Sequence, residues 1–413
     1  LKTEELEKHD PFAALKFKEF RFYILGRFFL TIAVNFQAVC VGWQIYELTK
    51  DPLSLGLIGL AEAIPYILIA LFAGYVVDHY DRRKILMSAI SVLIASSSLL
   101  FFFSYNNTHL LSLGTFPIYV LIFITGLARG FISPSMFAIM SQVVPKKIFG
   151  NSSTWNSTVW QIGAVGGPAL GGFAYGFLGV GKAYLLNTLF FGLAFFFFSF
   201  IATREVIRSE KVERLRESIT AGLNFVFSNQ LLLGALSLDL FAVFFGGAVA
   251  LLPMFADQIL HVGPKGLGVL RAAPAIGALI MAVILTFYPL NKGAGKKLLY
   301  AVALFGLCSI GFALSGNFYL SILFLALGGA FDNISVVIRT TIVQMFTPDH
   351  MRGRVSSVNS IFIGSSNEIG AFESGFAARL LGLVPSVIFG GSMTLLVTGI
   401  TAKFAPKLRN LKL

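Results

Sequence analysis

Apolar residues in this 413-residue chain gather into long unbroken runs rather than alternating or heptad patterns. Twelve such runs fall near residues 22–48, 54–78, 85–104, 116–142, 152–178, 182–203, 230–256, 266–289, 298–315, 318–346, 355–382 and 385–404. Each is close to the roughly 20 residues a helix needs to cross a bilayer. A helix satisfies all its backbone hydrogen bonds internally, which lipid demands. The predicted fold is therefore an all-α membrane protein with twelve transmembrane helices. The longest polar stretch, Arg204 to Ser218, continues into an amphipathic segment, Ile219 to Ser228, and separates six runs from six. The expected organisation is an N-terminal cytoplasmic segment over 1–21 and a six-helix half over 22–203. A linker with an amphipathic helix over 204–229 and a second half with a short tail over 230–413 follow. Phe12, Leu15, Phe17 and Phe20 suggest a short amphipathic helix at the membrane surface within the first segment.

The two halves resemble each other. A shift of 203 residues places Pro145 on Pro348, Gly150 on Gly353, Asn156-Ser157 on Asn359-Ser360 and Gly172-Phe173-Ala174 on Gly375-Phe376-Ala377. Six helices separate the copies, so both run in the same direction. Two parallel six-helix pseudo-repeats place a binding site between the halves near the midplane.

Composition agrees with the membrane reading. The chain is 56% hydrophobic, with 43 Phe and a mean hydropathy of +0.79. Charged residues make up 13%, about half the soluble norm. The net charge of +12 does not suggest nucleic acid, because the bases lie between apolar runs. Twenty-four Lys and Arg collect on one side of the predicted topology, against Lys50, Lys182 and Lys265 on the other. The positive-inside rule then makes both termini and the 74–84 loop cytoplasmic, in the inner or plasma membrane. The N-terminal stretch carries no cleavable signal pattern. Cys40 and Cys308 are isolated in apolar segments, and the five His show no metal-ligand spacing, so neither metal nor cofactor is expected.

Two motifs exceed composition. Between the second and third runs, Gly74, Asp78, Arg82 and Arg83 are spaced G-x-x-x-D-x-x-x-R-R. The glycine permits close helix approach. The acid can reach N–H groups opening another helix, and the arginines can hold carboxylates. In the fifth run, Gly163, Gly167, Pro168, Gly171 and Gly172 combine a flat glycine surface with a proline that permits bending. Gly167 and Gly171 are expected to pack tightly against helix eight.

The 74–84 loop resembles motif A of the major facilitator superfamily, with Asp81 where that superfamily usually has Gly. The fifth-run pattern resembles the antiporter motif of its drug:proton exchangers. Phe12-Ala13-Ala14-Leu15-Lys16, Tyr46-Glu47-Leu48-Thr49, Pro52-Leu53-Ser54-Leu55-Gly56 and Arg352-Gly353-Arg354-Val355 are similar to the branch of enterobactin exporters and macrolide efflux proteins. The resemblance implies a secondary active exporter of an amphiphilic drug or siderophore, working by alternating access with proton antiport. It implies a monomer whose partners are substrate, protons and the lipid bilayer. Alternatives are an importer, a lipid flippase or a transport-inactive sensor on the same fold. No nucleophile–base arrangement points to an enzyme, and no P-loop points to ATP.

Ionisable residues inside the runs are functional candidates by default. Asp332, Glu368, Glu373, Asp239 and Glu62 are the candidates for proton coupling. Arg129, Asn35, Gln37 and Gln161 are the candidates for lining the cavity. Arg129 and Asp332 coincide under the 203-residue shift, so they are expected to meet across the pseudo-axis. Arg27, Arg271 and Arg379 lie nearer run ends and are expected to snorkel.

Overall fold

The computed structural model describes residues 10–105, 114–145, 148–203, 215–246, 248–288, 293–348 and 351–411, and all their regular structure is helical. The first six helices are α1 (Lys18–Thr49), α2 (Pro52–His79), α3 (Arg82–Tyr105), α4 (Phe116–Val143), α5 (Phe149–Leu178) and α6 (Val180–Ser199). The short α7 (Leu215–Ser228) leads into α8 (Gln230–Phe245) and α9 (Ala248–Met254), which ends in a π-helical turn, Phe255–Ile259. Then come α10 (Gly263–Phe287), α11 (Ala294–Leu314), α12 (Phe318–Phe346), α13 (Arg352–Leu381), α14 (Leu383–Phe404) and the short α15 (Pro406–Arg409). The seventh predicted run is thus divided, with Gly246 ending α8 and the π turn widening its far end.

Ten of these stretches are long and apolar enough to span a membrane. The two long helices outside that set are α5 and α13, each 30 residues. Their Gly, Ser and Asn content lowers their hydropathy for a physical reason: both press against helices of the opposite half. Small residues allow that approach where lipid contact would favour Leu.

Local chemistry fixes the ends. Asp51 accepts from Ser54 N at 3.0 Å to cap α2, and Asn229 and Asn317 cap α8 and α12. Asp81 accepts from Arg83 N at 3.0 Å and Lys84 N at 3.2 Å, capping α3. The acid that departs from the family pattern therefore has a structural task. The turns from α5 to α6 and from α13 to α14 pivot on Gly179 (φ 81°, ψ 166°) and Gly382 (φ 94°, ψ 164°). This backbone region is essentially closed to side chains, and the two residues stand at the 203-residue spacing of the repeat.

Residues 10–17 do not form a surface helix. They make a 3-10 turn at Ala14–Lys16 and dock on the start of α5. Asn151 Oδ1 accepts from Ala14 N at 2.9 Å, while Asn151 Nδ2 and Trp155 Nε1 donate to Pro11 O at 2.7 and 3.0 Å.

Within the first six helices α2 packs on α4, α1 on α5 and α6, and α3 on α4 and α6. In the second set α10 packs on α12, α11 on α12 and α14, and α8 on α13 and α14. Two long contacts join the sets, α2 with α13 and α5 with α10. They are built alike. A Cβ at Gly172 would lie 2.6 Å from Pro264 O and Gly268 Cα, and one at Gly375 would lie 2.6 Å from Pro52 O and 2.8 Å from Gly56 Cα. Each junction is a glycine seated on a Pro-x-x-x-Gly turn at the start of the facing helix.

Candidate substrate cavity

A cavity of about 910 Å³ lies between the two sets of helices. On α12, residues Phe324, Leu325, Gly328, Gly329 and Asp332 reach it, a spacing that keeps one helical face turned inward. The close crossing of α10 and α12 fixes that face: Gly277 meets Ala326, and Gly329 meets Pro274. The opposite wall carries Glu62 from α2 and Arg129 from α4. These helices are locked by Gly126, whose added Cβ would lie 2.6 Å from Glu62 O.

Among the described residues, five charged side chains line the cavity: Glu62, Arg129, Arg271, Asp332 and Glu368. Arg129 pairs with Glu62, not with Asp332 as the repeat suggested. The shift matches positions along the helices, but Glu62 on the adjacent α2 lies closer to Arg129. Glu368 is within electrostatic reach of both Arg129 and Arg271. Arg271 therefore faces the cavity instead of snorkelling. Asp332 has no ion-pair partner among the described residues.

The other candidates separate. Asn35 and Gln37 line the cavity; Asn35 Nδ2 donates to Thr31 O at 2.9 Å, and Gln37 Oε1 accepts from Asn187 Nδ2 at 3.1 Å. Gln161 does not line it, whereas Trp160, one residue earlier, does. Glu373 also lies outside the lining. Asp239 pairs with Arg339 between α8 and α12, away from the cavity. Arg27 Nη1 lies 3.1 Å from Met136 Sδ, packed against α4 rather than reaching a membrane surface.

The glycines of α5 serve two partners. Gly163, Gly167 and Gly171 face α1, where added Cβ atoms would lie 2.8 Å from Thr31 Cβ, 2.7 Å from Asn35 Cβ and 2.9 Å from Phe36 O. Of the motif, Gly172 and the Pro168 carbonyl meet α10 at Gly268, so the expected contact of Gly167 and Gly171 with the eighth run is replaced by one with the first. A helix turns about 100° per residue, so adjacent glycines must face different neighbours.

In the 74–84 loop, Arg83 donates to Ser199 O at 2.5 Å and to Thr203 Oγ1 at 3.0 Å. It thus holds the carbonyl end of α6 in place of the expected carboxylate, a favourable place for a cation. Arg82 borders a small crevice with Gln142 of α4. The side chains at Gly74 and Asp78 lie outside those described, as do those of Arg354, Ser356 and Ser357 at the start of α13.

At the far end of α1 a polar cluster joins the halves. Tyr46 Oη donates to Asp257 Oδ2 at 2.6 Å, Lys50 Nζ lies 3.1 Å from the same oxygen, and Gln258 Nε2 donates to Tyr46 Oη at 3.3 Å. Beside it Glu47 accepts from Tyr175 Oη at 2.5 Å and from Trp43 Nε1 at 2.7 Å. Lys265 Nζ sits 3.5 Å from the centre of the Phe177 ring. Sequence reasoning missed this cluster because its members lie at run ends and the partners are some 200 positions apart. Lys50 and Lys265, two of the three bases on the sparsely charged side, were the available signal.

Comparison with known proteins agrees with this architecture. The model of the transmembrane secretion effector family matches residues 9–412. The multidrug efflux pump Tap of Mycolicibacterium fortuitum is 24% identical over 396 residues, covering 91% of this chain and 92% of Tap. The enterobactin exporter EntS of Shigella flexneri is 24% identical over 388 residues, covering 92% and 90%. A crystal structure of a POT family transporter with 5-aminolevulinic acid superimposes with a TM-score of 0.76 at 11% identity, over 95% of this chain and 97% of that one. At that identity the likeness concerns the fold.

Proposed function

We propose, from the premise that this chain belongs to the transmembrane secretion effector family within the major facilitator superfamily, that it exports an amphiphilic small molecule in exchange for protons by alternating access. The observation that carries this reading is the charged, aromatic-walled cavity of about 910 Å³ between two sets of helices. Its volume suits a drug-sized ligand. Full-length similarity to a multidrug pump and a siderophore exporter supports outward transport.

The division into halves at 22–203 and 230–413 gives the moving parts. The cluster of Tyr46, Lys50 and Asp257 closes one end, with the termini placed on the cytoplasmic side by the positive-inside rule. Gly74, Asp78, Arg82 and Arg83 belong to the opposite gate, where Arg83 anchors the loop to α6. Tight glycine junctions allow the halves to rock without parting. Asp332 is the coupling carboxylate, because it reaches the cavity without a fixed cation. Glu62 and Glu368 respond to it through Arg129 and Arg271. The protein works as a monomer, since each chain contains both halves of the site.

The test is a compound screen in inside-out vesicles with an imposed pH gradient. Accumulation that collapses when a protonophore removes the gradient supports the reading; accumulation indifferent to the protonophore contradicts proton exchange.

A further inference from the structure

The five charges that the described residues bring to the cavity do not balance. Arg129 is matched by Glu62, and Arg271 shares the neighbourhood of Glu368, so those four formal charges cancel. Asp332 is left over. The helix geometry explains why Arg271 does not neutralise it. The crossing of α10 and α12 pairs Gly277 with Ala326 and Gly329 with Pro274. Both helices run in the same direction, so at 1.5 Å per residue Arg271 and Asp332 stand roughly 13 Å apart in depth, on opposite sides of the crossing.

The α12 face that carries Asp332 lies against apolar and aromatic groups. One turn away, a Cβ at Gly328 would lie 3.7 Å from Cys308 Cβ and 3.8 Å from the Phe305 ring. Phe312, Phe324 and Trp160 border the same space. An unmatched carboxylate in such a setting carries a large desolvation cost unless a cation joins it. Aromatic faces favour a diffuse organic cation over a strongly hydrated one.

We infer that the cavity selects amphiphilic organic monocations, with Asp332 as the counter-ion and the Phe305 ring, next to Gly328 one turn away, as part of the aromatic wall. This deepens the export reading and depends on it only for the direction of movement. An acidic catecholate siderophore fits less well, because its charge would add to an excess of carboxylates, Glu62, Asp332 and Glu368, over the guanidinium groups of Arg129 and Arg271 among the described residues that line the cavity.

Tetraphenylphosphonium and tetraphenylborate separate charge from size, since the two ions share shape and area and differ in sign. Equilibrium binding is measured on the full chain in lipid nanodiscs, with empty nanodiscs subtracted. The parent should bind the phosphonium saturably and the borate at least about tenfold more weakly. Asp332→Asn should weaken phosphonium binding at least about tenfold, and Asp332→Glu should restore most of it. Parent protein that prefers the borate, or binds neither ion, overturns the inference. So does a folded Asp332→Asn that binds the phosphonium as the parent does. If Asp332→Asn does not fold, the two ions on the parent decide alone. Transport separates this inference from the export reading. Gradient-driven pumping of neutral or anionic compounds, without phosphonium binding, leaves export standing and removes the charge selection. Phosphonium binding without gradient-driven flux does the reverse.

Discussion

Arg129–Glu62 and Arg339–Asp239 are made of the same chemical groups, one pair in each half, yet their surroundings differ. The first pair borders the cavity, with 32% and 16% of its side chains exposed; the second retains 5% and 8%. A pair that meets water and substrate can exchange partners during a cycle. A pair sealed between α8 and α12 has nowhere to go, and its removal leaves a bare charge in the protein interior. Intramembrane charge alone thus does not distinguish the two pairs in this chain; access to the cavity does.

The largest effect should come from the sealed pair. Asp239→Ala strands Arg339, which costs about 3–5 kcal/mol in comparable buried pairs. Thermal unfolding in detergent should show a large loss of stability, with little folded protein recovered. Replacing both partners by apolar residues should return much of it. A stable Asp239→Ala with normal transport would erase the distinction.

Next is the junction between halves. Gly172→Ala places a Cβ 2.6 Å from the α10 backbone, while Gly166 has open space around its added Cβ. Transport per folded molecule should fall at least about tenfold in Gly172→Ala and stay near parental in Gly166→Ala. Equal activities would show that the contact with α10 is not needed for cycling.

Glu62→Gln comes third. Because Arg129 keeps partial contact with the cavity and with Glu368, the stability loss should be about 1 kcal/mol, after allowance for screening. Its effect should appear in transport instead, as severalfold slower turnover of a folded protein. A stability loss as large as that of Asp239→Ala would place both pairs in the same structural class.

The smallest effect belongs to Lys50→Gln. The link to Asp257 is exposed, with side-chain exposures of 55% and 40%, and Tyr46 still holds the same carboxylate. Spin labels across that end should report a shift of roughly twofold in the open population. No shift would leave the cluster without a role in closure.

The helical architecture was legible in the sequence because hydropathy and span length are local properties. The repeat offset was legible too, and Gly179 and Gly382 occupy the same glycine-only backbone region at equivalent turns. The cavity was read only in part. Glu62, Asp332, Glu368, Arg129, Asn35 and Gln37 line it, but periodicity could not say which charge pairs with which. Pairing depends on helix rotation and on which neighbour stands nearest, so Arg129 chose Glu62 over its repeat equivalent. The division of labour among the α5 glycines was hidden for the same reason. The cluster of Tyr46, Lys50 and Asp257 joins residues distant in sequence, a relation that local pattern does not carry.

A coupling role for Asp332 requires that proton movement and export depend on its carboxylate. The direct measurement is pH-gradient-driven transport per folded molecule in proteoliposomes, comparing the parent with Asp332→Asn. The account predicts accumulation by the parent and, for the variant, a rate no greater than protein-free leak. Undiminished gradient-driven pumping by a folded Asp332→Asn would contradict it.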